Sequence, residues 1–251
     1  MRLRVVSWNM NHPFRREQAE EQWAYLDSLE PTIALVQEAP PPPASCQAIF
    51  QEVPRVKLRT GIVAYGKVEL TEIPTVPLGE DAPEGHLVTS CPGTFVAARA
   101  KLSDGPRVTL ISAYGLLSSV LTKTNYATTN VHRMLSDLTP LLDVQRNKQP
   151  LIFGGDLNVS PEVPQPDSAA HVAVIDRIKA FGLEDCLGEH HDGKLVRTLR
   201  HMNKPESKPY QIDWVFSSRK LRSIRVRAND CEAAWRLSDH CPVIADFVPA
   251  D

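Results

Sequence analysis

The sequence predicts an α/β fold in which β-sheets pack against one another and helices lie outside them. Short apolar, β-branched segments outnumber segments with helical spacing by roughly ten to three or four. Many of these strand segments follow one another directly, which excludes a regular βαβ barrel and is typical of packed sheets. Polar clusters stand at the ends of several separate strands, where a rigid scaffold gathers a site from distant parts of the chain.

The first predicted elements alternate between strand and helix. Residues 3–8 are apolar and β-branched and run into a polar loop, which is typical of a strand. Between residues 14 and 29, apolar side chains recur at helical spacing among charged ones, and Pro31 stops this helix. Residues 32–36 then predict a second buried strand, which ends just before Glu38.

Turn residues divide the middle of the chain into two predicted hairpins. The first covers residues 61–73 around Gly66, and the second covers residues 94–113 around the Asp-Gly pair at 104–105. Between them, residues 74–92 show no regular pattern. We therefore expect four strands here, paired as neighbours in sequence.

The last part of the chain predicts further helices and strands. A helix capped by Thr128 or Thr129 would present Val131, Leu135 and Leu138 on one face. The remaining predicted elements are, in order, a strand at 151–153, a helix near 171–181 and strands at 211–216, 223–226 and 242–247.

Composition narrows the class of protein. With 251 residues and 42% hydrophobic side chains the chain can bury a large core, and no linker divides it, so we expect one domain over residues 1–251. A net charge of −2 argues against a strongly basic nucleic-acid binder, and five cysteines without CxxC spacing argue against a disulfide framework. The sequence contains no long apolar stretch. We expect a soluble, cytoplasmic monomer.

Nine polar residues lie at or near the ends of the predicted strands and are the candidates for chemistry. They are Asn9, Asn11, Glu38, Tyr114, Asp156, Asn158, Asp213, Asp239 and His240. If the carboxylates converge, each pair about 4 Å apart repels by roughly 4 kcal/mol at an effective dielectric constant of 20, and a bound cation removes that cost. Oxygen ligands suit Mg²⁺ or Mn²⁺ better than zinc, and magnesium leaves positions for phosphate oxygens. The pattern therefore indicates a phosphoester substrate.

Five short motifs occur in a recognisable order. They are Ser7-Trp8-Asn9, Gln37-Glu38, Gly155-Asp156-Leu157-Asn158, Gln211-Ile212-Asp213 and Ser238-Asp239-His240-Cys241-Pro242. Together they resemble the endonuclease/exonuclease/phosphatase superfamily, which includes exonuclease III-type abasic-site endonucleases, pancreatic-type deoxyribonucleases, sphingomyelinases and inositol-polyphosphate phosphatases. The resemblance extends from residue 5 to residue 247, and it implies a four-layered α/β sandwich with two packed mixed sheets and helices outside.

The resemblance also implies roles for individual residues. Glu38 corresponds to the principal metal ligand of the family, and Asn9 and Asp239 lie near the ion directly or through water. His240, held by Asp213, resembles the general base or the group that protonates the phosphate.

The resemblance implies a different role for Asp156 and Asn158. Asp156 and Asn158 resemble the residues that orient the attacking water and stabilise the pentacovalent phosphorus. Tyr114 follows a strand at a place where the abasic-site endonucleases have a tyrosine, so we count it among the catalytic residues. A basic residue near the site, Arg200, is our candidate for a contact to substrate phosphate.

Two departures from the family pattern affect the expected function. Many nuclease members place an acid two residues after the first asparagine, whereas this chain has Asn11. With one fewer negative charge, we expect a lower metal affinity or the loss of a second ion site, and we assign Asn11 to substrate phosphate. The Trp-Arg-Asp-Arg-type signature of inositol phosphatases is also missing. The sequence thus predicts a Mg²⁺- or Mn²⁺-dependent nuclease, with a small-molecule or lipid phosphoesterase as the alternative. A non-catalytic relative would have lost the base or the metal ligands, whereas this chain keeps all of them.

Overall fold

A computed structural model of the chain describes residues 2–12, 15–54, 57–103, 105–117, 127–143, 149–164, 167–200 and 210–250. In these ranges the strands are β1 Leu3–Asn9, β2 Ile33–Gln37, β3 Gln47–Val53, β4 Leu58–Ala64, β5 Val68–Ile73, β6 Thr75–Pro77, β7 Leu87–Thr89, β8 Phe95–Leu102, β9 Arg107–Tyr114, β10 Leu151–Asp156, β11 Leu183–Asp185, β12 Asp213–Ser218, β13 Leu221–Ala228 and β14 Val243–Pro249. The helices are α1 Ala19–Ser28, α2 Ala127–Asp137, α3 Thr139–Leu142, α4 Ser168–Ala180, α5 Cys186–His190 and α6 Glu232–Leu237, and a 3-10 turn covers Arg16–Gln18.

Two mixed sheets of six strands each form the body of the fold. The first sheet has the order β13-β14-β1-β2-β4-β3, and the second has the order β11-β12-β10-β9-β8-β5. In each sheet the two central strands are parallel and all other neighbours are antiparallel. The two sheets therefore have the same arrangement of parallel and antiparallel neighbours, so each strand of one sheet has an equivalent in the other.

The apolar side chains divide into layers. Between the sheets lies a core that includes Val5, Leu35, Leu110, Ile152 and Val215. A second buried cluster packs the outer face of the second sheet against α2, α3 and α4, and a third packs the outer face of the first sheet against α1. Alternation of side chains along each strand supplies both faces of each sheet. The predicted four-layered sandwich is confirmed.

The core between the sheets becomes polar at one end. Along β1 the inward positions change from Leu3 and Val5 to Ser7 and Asn9, and along β10 from Ile152 to Asp156. All of these side chains are buried. This polar end of the sandwich is where the candidate residues of the sequence meet.

The first predicted hairpin is wrong. The strands on either side of Gly66 exist, but β4 pairs with β2 and β3 in the first sheet, whereas β5 pairs with β8 in the second. Gly66, at φ 68°, sits in the turn through which the chain passes from one sheet to the other. The strand β3 had not been predicted, and as a neighbour of β4 it takes the edge that the hairpin would have used. The second hairpin, β8 with β9, is confirmed.

Other boundaries differ in smaller ways. Thr128 and Thr129 lie inside α2 and do not cap it, and residues 74–92 contain the short parallel pair of β6 and β7. The expected helix start at Phe14 and the turn residue Asp104 lie outside the described residues. Within those residues, the search for an apolar helix of membrane-spanning length finds none.

Candidate active site

The candidate residues converge at the polar end of the two sheets. Asn9 and Asp156 are the last residues of the central strands β1 and β10. Glu38 directly follows β2, Tyr114 ends β9, and Asp213 begins β12. His240 lies just before β14. Asn9, Tyr114, Asp156, Asp213 and His240 are each at most 6% exposed.

Two equivalent turns follow the central strands. The side-chain oxygen of Asn9 accepts a hydrogen bond from the backbone N–H of Asn11 at 2.9 Å, and Asp156 accepts one from the N–H of Asn158 at the same distance. Asn11 and Asn158 both have left-handed backbones, with φ of 49° and 52°. Asparagine is among the few residues that adopt this conformation readily. Each sheet therefore ends in the same asparagine-containing turn.

Glu38 is brought towards the site by a further left-handed backbone, with φ of 46°. Its Oε1 accepts a hydrogen bond from the side-chain amide of Asn9 at 3.2 Å and another from the Tyr114 hydroxyl at 3.0 Å. Both donors contact the same oxygen. Among the described residues, none donates to the second oxygen, Oε2, which is therefore the atom suited to a further ligand.

Gly155 allows β10 to run close to β9 and so positions Asp156 at the site. Gly155 has a φ of 148°, and a Cβ on this residue would lie 1.9 Å from the carbonyl oxygen of Ala113 on the neighbouring strand. Any side chain there would push β10 away from β9. The small residue before Asp156 is thus required by the close approach of the two parallel strands.

His240 is held by an acid from the other sheet. Its Nδ1 lies 2.8 Å from Oδ2 of Asp213, and its Nε2 lies 3.9 Å from Oδ2 of Asp156. Because an ionised carboxylate only accepts hydrogen bonds, Nδ1 carries the proton that faces Asp213. The imidazole therefore presents Nε2 towards the position where Asp156 and a substrate would meet.

Equivalent places in the two sheets are joined directly. Asn9 of the first sheet donates to Asp156 of the second at 2.9 Å. The Tyr114 hydroxyl binds Glu38, and His240 binds Asp213. Each link joins a donor to a carboxylate across the gap between the sheets, so the packing of one sheet on the other positions all of these groups.

Burial makes the charges at this site costly. It raises the pKa of Glu38, and it raises the pKa of Asp156 to about 7 despite the nearby His240. Burial alone would lower the pKa of His240, but Asp213 and Asp156 outweigh it and raise that pKa well above the usual value. The phenol of Tyr114, whose pKa is raised by burial and by Glu38, stays protonated as a donor. The site therefore contains four acidic side chains, and His240 alone cannot balance their negative charge.

The donor set fits a divalent cation. Among the described residues, no lysine or arginine forms an ion pair with Glu38, Asp156, Asp213 or Asp239. Ligand atoms of Asp156, Asp213 and His240 lie within 4.8 Å of one another. The Nδ1 of His240 already binds Asp213, however, whereas Oε2 of Glu38 accepts no hydrogen bond from the described residues. Carboxylate and amide oxygens are the ligands that Mg²⁺ and Mn²⁺ prefer.

The remaining predicted residues, Asn11, Asp239 and Arg200, lie beside this cluster. Asn11 donates from its side chain to Oδ1 of Asp239 at 2.6 Å. Arg200 donates its backbone N–H to the carbonyl of Asp239 at 2.8 Å, and its guanidinium lies 3.3 Å from Glu232. Arg200 is thus next to the site, but its charge faces a carboxylate of α6.

Three supporting residues had not been assigned a role from the sequence. The Thr198 hydroxyl accepts from the backbone N–H groups of Ile212 and Asp213, and so fixes the start of β12. Ser238 donates to the carbonyl of Asn9. The indole of Trp8, which the sequence indicates only as a core side chain, donates to the carbonyl of His240. Thr198 lies in no motif, so nothing in the sequence marks it, whereas Ser238 and Trp8 stand inside two of the motifs.

Comparisons with known proteins agree with this architecture. The sequence matches no protein-family model, and no curated protein is significantly similar to it. Solved structures do match. An AP endonuclease from Archaeoglobus fulgidus is 18% identical, with a TM-score of 0.68 over 99% of this chain and 100% of that one. A 3′-5′ exonuclease from Neisseria meningitidis is 19% identical, with a TM-score of 0.64 over 98% and 99% of the two chains.

A third match bears the name of the superfamily. It is an endonuclease/exonuclease/phosphatase protein from Beutenbergia cavernae, 16% identical, with a TM-score of 0.65 over 99% of this chain and 72% of that one. At such low identity these likenesses show the fold and leave the activity to be argued from the site. The chain has the fold of the endonuclease/exonuclease/phosphatase proteins, as the motifs predicted.

Proposed function

We propose that this protein is a divalent-metal-dependent hydrolase that cleaves phosphodiester bonds in nucleic acid. The observation that carries the proposal is the set of links across the two sheets, Asn9 to Asp156, Tyr114 to Glu38 and His240 to Asp213. These links hold acids, an amide and an imidazole in a buried cluster, and no arginine or lysine of the described residues forms an ion pair with its acids. A cation and an anionic phosphate would together complete that charge pattern.

The metal would be Mg²⁺ or Mn²⁺, held by Glu38 with Asp239 beside it. Bound there, it would neutralise charge on the non-bridging phosphate oxygens. Asn9 belongs to the same part of the site, but its oxygen already accepts from Asn11 and its NH₂ group faces two carboxylates. We therefore propose that Asn9 acts by holding Glu38 and Asp156, or contacts the ion through water.

The chain's own residues would handle the proton and the developing charge. The carboxylate of Asp156 would orient the attacking water, and Asn158, whose amide donates to Asp156 at 3.1 Å, would stand beside the phosphorus. His240, kept in one orientation by Asp213, would either give a proton to the phosphate or, while it stays protonated, stabilise the negative charge of the phosphate. Tyr114 would act through Glu38, and Arg200 could contact a flanking phosphate once released from Glu232.

Nucleic acid is the substrate class that we favour. The matched structures include an AP endonuclease and a 3′-5′ exonuclease, and the backbone N–H of Arg200 binds the carbonyl of Asp239 beside the site. The net charge of −2 is the feature that suits a small-molecule or lipid phosphoester instead. A cytoplasmic location and a monomeric state stay predictions from the sequence.

A substrate panel tests this function. Purified protein with Mg²⁺ or Mn²⁺ is offered abasic-site duplex, intact duplex, single strands, RNA, a phosphoinositide and sphingomyelin. We expect metal-dependent cleavage of at least one nucleic acid, lost in His240→Ala and Asp156→Asn. Asp246→Asn serves as the matched control, because Asp246 is a buried acid on the outer face of the first sheet. Inert nucleic acids together with release of phosphate or phosphocholine would replace the proposal with the phosphoesterase alternative.

A further inference from the structure

Asn11 holds a second acid of the site by a neutral hydrogen bond. Its side-chain NH₂ donates to Oδ1 of Asp239 at 2.6 Å, and Asn11 itself is 5% exposed. Its backbone N–H is tied to Asn9 and its left-handed φ is 49°, so the side chain is aimed by the turn that ends β1. Asn11 is therefore a fixed donor and not a mobile surface residue.

The equivalent turn of the second sheet uses its asparagine in the same way. Asn158 donates from its side chain to Oδ2 of Asp156 at 3.1 Å and to the carbonyl of Gly115 at 2.9 Å. In both sheets, then, a left-handed asparagine offers its amide to a carboxylate of the site. The repetition indicates that the amide of Asn11 is there to position Asp239.

The charge of residue 11 decides how many cations this end of the site requires. With asparagine, the contact to Asp239 joins a neutral donor to an acid and needs no ion. An aspartate at residue 11 would keep the shape but bring two carboxylates to the same distance, a strongly repulsive arrangement in a partly buried place. Such a pair is stable only with a shared proton or with a cation between the two groups.

We infer that Asn11 is a positioning residue that limits this site to a single divalent cation by holding Asp239 with a neutral donor. The inference rests on the proposed function, because it takes Glu38 as the anchor of that cation. It differs from the expectation that Asn11 binds substrate phosphate, since the amide is already committed to Asp239. The residue would act on the metal ligand and not on the reacting atoms.

Mn²⁺ binding measured without substrate tests this inference. Free Mn²⁺ is followed by electron paramagnetic resonance during titration of wild type, Asn11→Asp, Asn11→Gly, Glu38→Gln and the double variant Asn11→Asp/Glu38→Gln. Aspartate tolerates a left-handed backbone and glycine adopts it freely, so both substitutions preserve the turn. Circular dichroism checks that each variant is folded.

We expect about one Mn²⁺ per chain in wild type and about two in Asn11→Asp, as in two-metal phosphoester sites. Asn11→Gly should still bind about one ion, but roughly 10- to 100-fold more weakly, as when a partner that orients a ligand is removed. Glu38→Gln should lose the wild-type ion, whereas the double variant should keep the added one.

Three results overturn the inference: two ions in wild type, unchanged stoichiometry in a folded Asn11→Asp, or unchanged affinity in Asn11→Gly. The affinity of Asn11→Gly keeps the test decisive if Asn11→Asp does not fold. Failure of the proposed function looks different. In that case Glu38→Gln binds Mn²⁺ as wild type does, whatever residue 11 does.

Discussion

Two regions of this molecule bury acids in opposite ways. On the outer face of the first sheet, Asp246 of β14 is 1% exposed and binds Arg4 at 2.9 Å and Arg2 as well. These arginines outweigh burial and hold the pKa of Asp246 below its usual value. At the polar end of the sandwich, Asp156 is equally buried, but no arginine or lysine of the described residues reaches it and its pKa is raised to about 7.

The two acids differ in the positive charges that the fold places beside them. The fold can supply cations to a buried acid, because Arg2 and Arg4 do so on the same sheet that carries Glu38. At the site it supplies only His240 and neutral donors. Acids that are left short of positive charge lower the stability of the folded state and are kept where function requires them. The contrast therefore separates an acid whose charge the fold balances from the acids of the proposed active site, whose charge it leaves unbalanced.

The largest expected effect is on catalysis at the site acid. Asp156→Asn should lower kcat by about 10²- to 10⁴-fold, because the group that we propose to orient the attacking water loses its charge. The melting temperature should stay the same or rise, since a buried acid without a cation is removed. Single-turnover cleavage and a thermal melt measure the two quantities. A variant that loses both activity and stability would make Asp156 an ordinary structural acid like Asp246.

The second effect is the response to metal. Mg²⁺ or Mn²⁺ at about 100 times its dissociation constant should stabilise the folded protein by about 2.7 kcal/mol, because it binds the folded state alone. Glu38→Gln should abolish this stabilisation, whereas Asp246→Asn should keep it. Denaturant titrations with and without the metal provide the measurement. Equal stabilisation of all three proteins would remove Glu38 from the metal site.

The third effect concerns the structural acid. Asp246→Asn should lower the free energy of unfolding by about 1–3 kcal/mol, since two arginines lose their charged partner. Because the pKa of Asp246 is lowered in the folded state, its contribution is present above the unfolded pKa of about 3.9 and is lost as the pH falls through the lower folded value. The gap between wild type and variant should thus close in acid. Denaturant titrations at pH 7 and pH 3 test this, and nuclease activity per folded molecule should not change.

The smallest effect is expected at the hydroxyl of Tyr114. Tyr114→Phe removes the donor to Glu38 but keeps the ring packed, so Mn²⁺ affinity should fall roughly tenfold, as for other partners that orient a metal ligand. The cleavage rate at saturating Mn²⁺ should be nearly that of wild type. If instead the saturated rate falls and the affinity does not, Tyr114 contacts the substrate directly.

Much of the fold could be predicted from local pattern. Apolar, β-branched runs located β1, β2, β8, β9 and β14 to within a few residues, because burial on a sheet demands such side chains. The hairpin around Gly66 was wrong for an equally physical reason. A turn signal shows that the chain reverses, but the hydrogen bonds of β4 and β5 can be satisfied by any strand, and here they are satisfied in different sheets.

The sequence predicted which residues form the candidate site but, apart from the pair of His240 and Asp213, not which of them contact one another. Motifs at strand ends named Asn9, Glu38, Asp156, Asp213 and His240, and the structure brings all of them together. Thr198, which aligns Asp213, lies in an irregular segment and carries no signal of its own. Its role depends on the fold, which places the backbone N–H groups of Ile212 and Asp213 within hydrogen-bond distance of its hydroxyl.

By itself, the sequence determined which segments form most of the strands, which strands end in polar groups and which chemistry those groups can support, because periodicity and residue type are local properties. Only the tertiary structure decided that the two sheets have the same strand arrangement. The structure likewise decided that a hydrogen-bond donor at the end of one strand binds a carboxylate at the end of the equivalent strand in the other sheet. It also decided that Asn11 holds Asp239, residues 228 positions apart in the chain. Such pairings depend on how one sheet lies on the other, and that geometry is fixed by the packed core between them and not by any single segment.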